Sequence, residues 1–216
     1  MSELLHYLPA AQVSNEIKIK NSRFISICAP AFSVDEAKAV IQEVKAAHPS
    51  ASHHVPAFII GHGSSVISHC SDNGEPSGTA GKPTLAVLQG SGLGDAVLVT
   101  VRYFGGTKLG TGGLVRAYTE SAQEVLKLVQ RAQKIAVHTV AIELPYALLE
   151  QTRRLILQCG GKLEDEDFQA NVMVTCIFPV EKYDEFVPQM IELSNGKVEP
   201  VILQTNPDAI FPVGQL

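Results

Sequence analysis

The sequence predicts an α+β fold in two domains, and three observations carry that prediction. Stretches that alternate polar and apolar residues are interleaved with stretches whose apolar residues recur every three or four positions, so strands and amphipathic helices share the chain. After Ala136 the elements fall into β-α-β-β-α-β order within about 65 residues, a complete small unit of split-βαβ type. The charge divides near the same place: residues 1–137 hold 12 Lys and Arg against 10 Asp and Glu, a balance of +2, while residues 138–216 hold 5 against 12, a balance of −7. The expected boundaries are 1–136 for the first domain, 137–204 for the second, and a loose tail at 205–216.

Each element has a local reason. Glu16 to Lys20 alternates, and Arg23 to Cys28 follows after Asn21-Ser22, which reads as a hairpin. Ser33 is a helix cap with Asp35 and Glu36 in the first turn, and the helix from Val34 to Ala47 ends before Pro49. His54–Ile60 and Ser65–His69 are predicted strands joined by a turn at Gly61-His62-Gly63-Ser64. Pro83 suits the first turn of a helix to about Leu88. Asp95 to Phe104 is apolar enough to be buried on both faces. Thr111 is the expected cap of a helix to about Gln130, with Leu114, Tyr118, Ser121, Ala122, Val125 and Val129 as its buried stripe. The second domain reads as strand His138–Leu144, helix Tyr146–Gln158 closed by Gly160-Gly161, strands Lys162–Asp167 and Ala170–Phe178, helix Glu181–Leu193 and strand Lys197–Leu203.

Composition excludes several classes. The chain is 45% apolar and 18% charged, an ordinary globular balance. It has no run of about eighteen apolar residues for a membrane span, and the start at Met1 lacks the basic and apolar regions of a secretory signal. Cys28, Cys70, Cys159 and Cys176 are scattered and read as unpaired, so a cytoplasmic location is expected. A net charge of −5 argues against bulk nucleic-acid binding.

Eight glycines crowd into two runs, Ser71–Pro83 and Val101–Arg116, among Asp72, Glu75, Lys82, Arg102, Lys108 and Arg116. Glycine serves where φ is positive or where something must approach the backbone closely. Gly78-Thr79-Ala80-Gly81-Lys82 and Gly110-Thr111-Gly112-Gly113 each precede a helix, where free amides and the helix dipole favour an anion. The alternative is that these glycines serve close packing. Neither run fits the phosphate-loop pattern, since Pro83 follows Gly81-Lys82. Asp72 and Glu75 are weak candidates for metal binding or proton transfer; Asp72 is better read as capping its own turn. His53, His54, His62 and His69 lack metal-ligand spacing, and no local signature makes Cys70 a nucleophile. No cofactor and no metal are expected.

The two runs resemble a known family. Asp72-Asn73-Gly74-Glu75-Pro76-Ser77-Gly78-Thr79-Ala80-Gly81-Lys82-Pro83 resembles the D-[DN]-G-E-P-x-G-T-A-G-x-P element of the IMPACT family, in its YigZ-type bacterial branch. Val101-Arg102-Tyr103-Phe104-Gly105-Gly106-Thr107-Lys108-Leu109-Gly110 is similar to its V-R-[YF]-[YF]-G-G-x-x-L-G signature, and Ser22-Arg23-Phe24 and His53-His54 sit where the branch has them. The resemblance implies an N-terminal αβ domain of the kind named after the second domain of a small-subunit ribosomal protein, and a C-terminal ferredoxin-like domain similar to the last domain of elongation factor G. It supplies no catalytic residues. The resemblance implies translational control for the eukaryotic members, which compete for an activator of a kinase that phosphorylates an initiation factor; they carry a different extra domain that this sequence lacks, so that partner is not expected here.

The expected function is that of a cytosolic accessory or regulatory protein of translation, binding RNA or a ribosome-associated factor. The expected surface comprises Lys18, Lys20 and Arg23 of the hairpin with Asp72, Glu75, Gly78, Thr79, Gly81, Lys82, Arg102, Gly105, Gly106, Lys108, Gly112 and Arg116 around the glycine loops. The rival expectation is an enzyme acting on a phosphorylated small molecule or nucleotide at the same loops. A third is a protein partner held by the acidic C-terminal domain. Arg102 is expected either to face the groove or to pair with Asp72 or Glu75.

Overall fold

The computed structural model describes residues 6–63 and 65–213. The chain start, the Ser64 position of the expected turn and the last three residues of the expected tail lie outside the described residues. Two compact units are formed, one by residues up to Gln133 together with those from Pro212, the other by Lys134–Phe211.

In the first unit, β1 (Leu8–Pro9) is a short strand; β2 (Val13–Ile19) and β3 (Ser22–Pro30) then form an antiparallel hairpin with Ile19 opposite Ser22. Its two turn residues, Lys20 and Asn21, both have positive φ, 43° and 68°, the handedness that matches strand twist in a two-residue turn. Helix α1 (Val34–Ala47) begins as the sequence demands, with the Ser33 hydroxyl accepting from the Glu36 amide at 3.1 Å. Strands β4 (His53–Ile60) and β5 (Ile67–Cys70), helix α2 (Gly81–Gly90), strand β6 (Ala96–Tyr103) and helix α3 (Thr111–Lys127) complete the unit. Strand order is β2-β3-β6-β4-β5, every pairing antiparallel.

Strand β6 is central and buried from Ala96 to Arg102. Alternation sends Val97, Val99 and Val101 to one face, where they pack with Ala37, Ile41 and Val44 of α1. Ala96 and Leu98 face the other side with Leu88 of α2 and Ala122 and Val125 of α3. Thr100 and Arg102 continue that second row. Thr100 is satisfied by a buried hydroxyl group: Ser26 Oγ lies 2.8 Å from Thr100 Oγ1 and 2.7 Å from Ser121 Oγ.

The second unit runs β7 (Arg131–Leu144, begun within the first unit), a 3-10 turn at Tyr146–Leu148, α4 (Leu149–Gln158), β8 (Lys162–Phe168), β9 (Val172–Pro179), α5 (Val180–Leu193) and β10 (Val201–Pro212). β9 lies between β7 and β8, antiparallel to both, and β10 pairs with β7. Counted within this unit the strand order is 4-1-3-2, the ferredoxin-like arrangement. Val140, Ile142, Val174, Cys176 and Phe178 form the core with Ile156 of α4 and Phe186 and Met190 of α5. Gly161 is required here, because a Cβ would stand 2.4 Å from the Phe178 ring.

Three expectations change. Thr111 is the first residue of α3 rather than its cap; Gly110, with φ of 74°, holds the cap position and supplies no side-chain bond. Helix α3 stops at Lys127, since β7 already begins at Arg131. The last strand begins at Val201 rather than Lys197 and continues through Thr205 to Pro212, in place of the expected loose tail. His138 Nδ1 meets Thr205 Oγ1 at 2.8 Å and Lys134 meets Asp208 at 3.7 Å, so β7 supplies the order that the local sequence does not.

Candidate functional site

The loop from Asp72 to Ala80 is built around its first carboxylate. Asp72 Oδ1 accepts from the amides of Ala80 (3.0 Å) and Gly81 (2.8 Å), and Oδ2 accepts from Gly78 (2.8 Å). The amide cluster at the start of α2 therefore already holds an anion, the protein's own. Burial opposes ionisation of Asp72, but the three amides and Lys82 outweigh it and hold the carboxyl below its usual value. Gly81 must lack a side chain, because a Cβ would lie 2.8 Å from the Ser71 backbone.

Glu75, three residues on, turns inward. Its side chain is 3% exposed, and Oε1 accepts from Arg102 Nη1 at 2.6 Å and from the Tyr118 hydroxyl at 2.8 Å. Burial first, then the Glu75 charge, push the Tyr118 phenol upward, so it stays protonated and donates. Arg102 Nη2 donates to Ser22 Oγ at 3.3 Å, and the guanidinium lies over the Phe24 and Phe104 rings at 5.4 and 5.6 Å. Arg102 Nε has no partner among the described residues. His53 Nε2 stands 3.8 Å from Glu75 Oε1, while its Nδ1 lies 2.9 Å from the Asn73 carbonyl; a carbonyl only accepts, so Nδ1 carries the proton. The two alternatives for Arg102 resolve inward: it is a buried ion pair with Glu75 and lies beneath the surface.

Gly105 closes this framework. A Cβ there would fall 2.1 Å from the Asn21 backbone, so the hairpin turn and the loop after β6 touch only because Gly105 is bare. Ala80, Leu109 and Leu114 share one buried cluster with Tyr118, which joins the two glycine runs at one end of the unit.

The start of α3 is different. The amides of Thr111, Gly112 and Gly113 meet no acceptor among the described residues; Leu114 is the first to bond back, to the Gly110 carbonyl. Lys108 and Arg116 flank this turn and are exposed, and Arg116 Nε donates to the Gly112 carbonyl at 3.3 Å. Lys82 is exposed on the neighbouring helix. Gly106 is exposed with φ of 82° and, like Gly78, has open space where a Cβ would go; Thr79 is buried, its hydroxyl bonded to the Pro76 carbonyl at 2.7 Å.

The hairpin cations do not join them. Ile17, Ile19 and Phe24 pack on the side of Leu114 and Tyr118, so Lys18 and Arg23, which alternate with them, face away. Lys20 is in the turn. Arg23 is also engaged, by Glu16 at 3.0 and 2.9 Å, and lies over Tyr103. Sequence reasoning missed the Tyr118 hydroxyl and Ser22 as members of the Glu75 framework. The signal was available in Tyr118, a polar tip on a buried stripe that needs a partner. Cys70 is no activated thiol: burial, then Asp72, push it up. No cluster of three His, Cys, Asp or Glu among the described residues is placed to hold a metal, and no helix among them is long and apolar enough to cross a membrane.

Residues 20–126 match the Impact N-terminal domain, and residues 142–197 match a domain of unknown function, DUF1949. The chain is 39% identical over 198 residues to the IMPACT family member YigZ of Escherichia coli, covering 91% of this chain and 97% of that one. It is 37% identical over 186 residues to YvyE of Bacillus subtilis, covering 85% and 84%. A crystal structure of a hypothetical protein aligns with a TM-score of 0.59 at 38% identity, over 92% of this chain and 97% of the other. With its glycine loops inside the matched N-terminal domain and likeness to relatives along most of its length, the chain belongs to the IMPACT family.

Proposed function

We propose that this protein is a cytosolic accessory or regulatory protein of translation that binds RNA or a ribosome-associated factor through the surface at the start of α3. The observation that carries the reading is the open amide turn at Thr111-Gly112-Gly113 between the exposed Lys108 and Arg116. Backbone amides there hold a phosphate or carboxylate, and the two cations with Lys82 steer it in. Gly112 supports it further. It sits in the first turn of α3, has no positive φ and has nothing within 4 Å of the place a Cβ would occupy. The absent side chain leaves room for an outside group to reach the backbone.

The rival reading, an enzyme acting on a phosphorylated small molecule, needs an acid at the loops that is free to hold a metal or move a proton. Asp72 is committed to three amides and Glu75 to Arg102 and Tyr118, which favours the binding role.

Co-sedimentation with ribosomes and subunits across a salt series tests the proposal, comparing wild type with Lys108→Glu/Arg116→Glu. Binding should weaken with salt and disappear in the variant, each phosphate-contacting cation accounting for about one unit of the log K against log salt slope. A wild type that fails to sediment, or binding indifferent to salt, overturns it.

A further inference from the structure

Helices α2 and α3 border a shallow, open groove of about 910 Å³, lined by eleven residues of the first unit. Its lining is mostly apolar, with Ala86, Val87 and Gly90 from α2 and Val115 and Leu126 from α3, beside the polar Ser91, Thr119 and Gln123. Ala86 and Gly90 are exposed, and Val115 is 37% exposed although wholly apolar. From Val115 to Leu126 the helix rises about 16 Å, the length of about three turns of a partner helix. Gly90 is a helical residue without positive φ and with nothing within 4 Å of a Cβ position, so no contact inside the protein calls for a glycine there. Its bareness keeps the floor open.

The charge of the lining is one-sided. Lys127 and Arg131 belong to it, and no lining residue is acidic, in a chain whose net charge is −5. Glu124 holds Lys127 from outside the groove. Arg131 is fixed by its bond to the Ser91 carbonyl at 2.9 Å and its position over the Tyr7 ring, which aims rather than disperses its charge. A mostly apolar lining of helical length with cations at one end is complementary to one kind of occupant. We propose that this groove docks an acidic amphipathic helix of a partner protein, its apolar stripe on Ala86, Gly90 and Val115 and its carboxylates toward Lys127 and Arg131.

The test uses the full-length protein and a labelled fifteen-residue helical peptide with leucines at i, i+3, i+4 and i+7 and glutamates on its flanks. A second peptide keeps the leucines and replaces glutamate by lysine. Fluorescence anisotropy should show the acidic peptide binding at least about tenfold more tightly than the basic one. Gly90→Leu, which fills the floor, and Ala86→Glu, which adds a like charge, should each weaken it by about tenfold or more while circular dichroism stays unchanged. Ribosome co-sedimentation of Gly90→Leu should match wild type, which separates this groove from the surface at the start of α3. Equal binding of the two peptides, no binding of the acidic one, or affinity indifferent to both substitutions overturns the proposal. So does a concentration-dependent dimer dispersed by Ala86→Glu, which would give the groove to a second copy of the chain.

Discussion

Arg102→Met removes the cation from a carboxylate that has almost no access to water. Glu75 and Arg102 side chains are 3% and 5% exposed, with 2.6 Å between Oε1 and Nη1. Without the guanidinium, Glu75 keeps the Tyr118 hydroxyl at 2.8 Å, and His53 at 3.8 Å is too far for a hydrogen bond. Breaking one side of a buried pair costs about 3–5 kcal/mol, because the survivor is left charged and desolvated. Glu75→Gln strands Arg102 in the same way and should fall in the same range of about 3–5 kcal/mol. The double variant leaves no buried charge, and the amide oxygen of the introduced glutamine still accepts from Tyr118. It should therefore lie well short of the sum, with a coupling of about 2–3 kcal/mol. Native-state hydrogen exchange of the β6 amides is the suitable assay, because the chain has two compact units and a global transition mixes them. Single substitutions costing less than about 1 kcal/mol, or a double variant additive within about 0.5 kcal/mol, would refute the view that this pair frames the loops.

Further expectations concern the loops and thiols. Asp72 has a lowered carboxyl value in the folded state, so its contribution is complete above the unfolded value of about 3.9 and is lost as pH falls through the lower folded one. Asp72→Asn should therefore flatten the acid limb of a stability-against-pH curve below about pH 4, and an unchanged limb would sink the three-amide account. Gly105→Ala should be severely destabilising because its Cβ meets the Asn21 backbone at 2.1 Å, whereas Gly112→Ala, with open space at its Cβ, should change stability by less than about 0.5 kcal/mol by native-state hydrogen exchange yet weaken ribosome binding. Equal thermal shifts for the two would count against the packing argument. Burial pushes the Cys28 and Cys176 thiols up to about 12, so in the folded protein a thiol reagent near neutral pH should label Cys70 well before either.

What the sequence made legible follows the range of the forces involved. Helix α1 depends on Ser33, on Asp35 and Glu36 and on its own apolar stripe, all within one segment, and its bounds fall at Val34 and Ala47 as expected. The β2–β3 hairpin and the doubly buried β6 were likewise written in local pattern. Strand β10 was not. The residues from Thr205 read as a loose tail, and they become strand because β7 pairs with them from more than sixty residues away. Arg102 shows the same limit inside the site. Alternation along β6 puts it on the row of Leu98 and Thr100, facing α2 and α3, but the identity of its partner rests on how the Asp72 loop folds back. That loop was half legible: Asp72 beside glycine announced a cap, while the inward turn of Glu75 depends on Tyr118 coming from α3.

The two glycine runs look alike in sequence, each a bare turn opening a helix, and the structure separates them by a physical criterion. At α2 the amides are answered by Asp72, so the turn is closed framework; at α3 the amides are unanswered, so the turn is available. The glycines themselves sort the same way. Among the described ones, most either have a positive φ or would clash within the protein if given a Cβ, as Gly81 and Gly105 would with neighbouring backbone. Gly90 and Gly112 have neither reason: one is the last residue of α2, the other the second of α3, and both face open space. Open space beside a bare backbone leaves room for a group from outside to come close. One lies in the turn proposed to hold an anion and the other in the groove proposed to dock a helix, so the criterion that explains Gly81 and Gly105 by packing leaves these two to the proposed contacts.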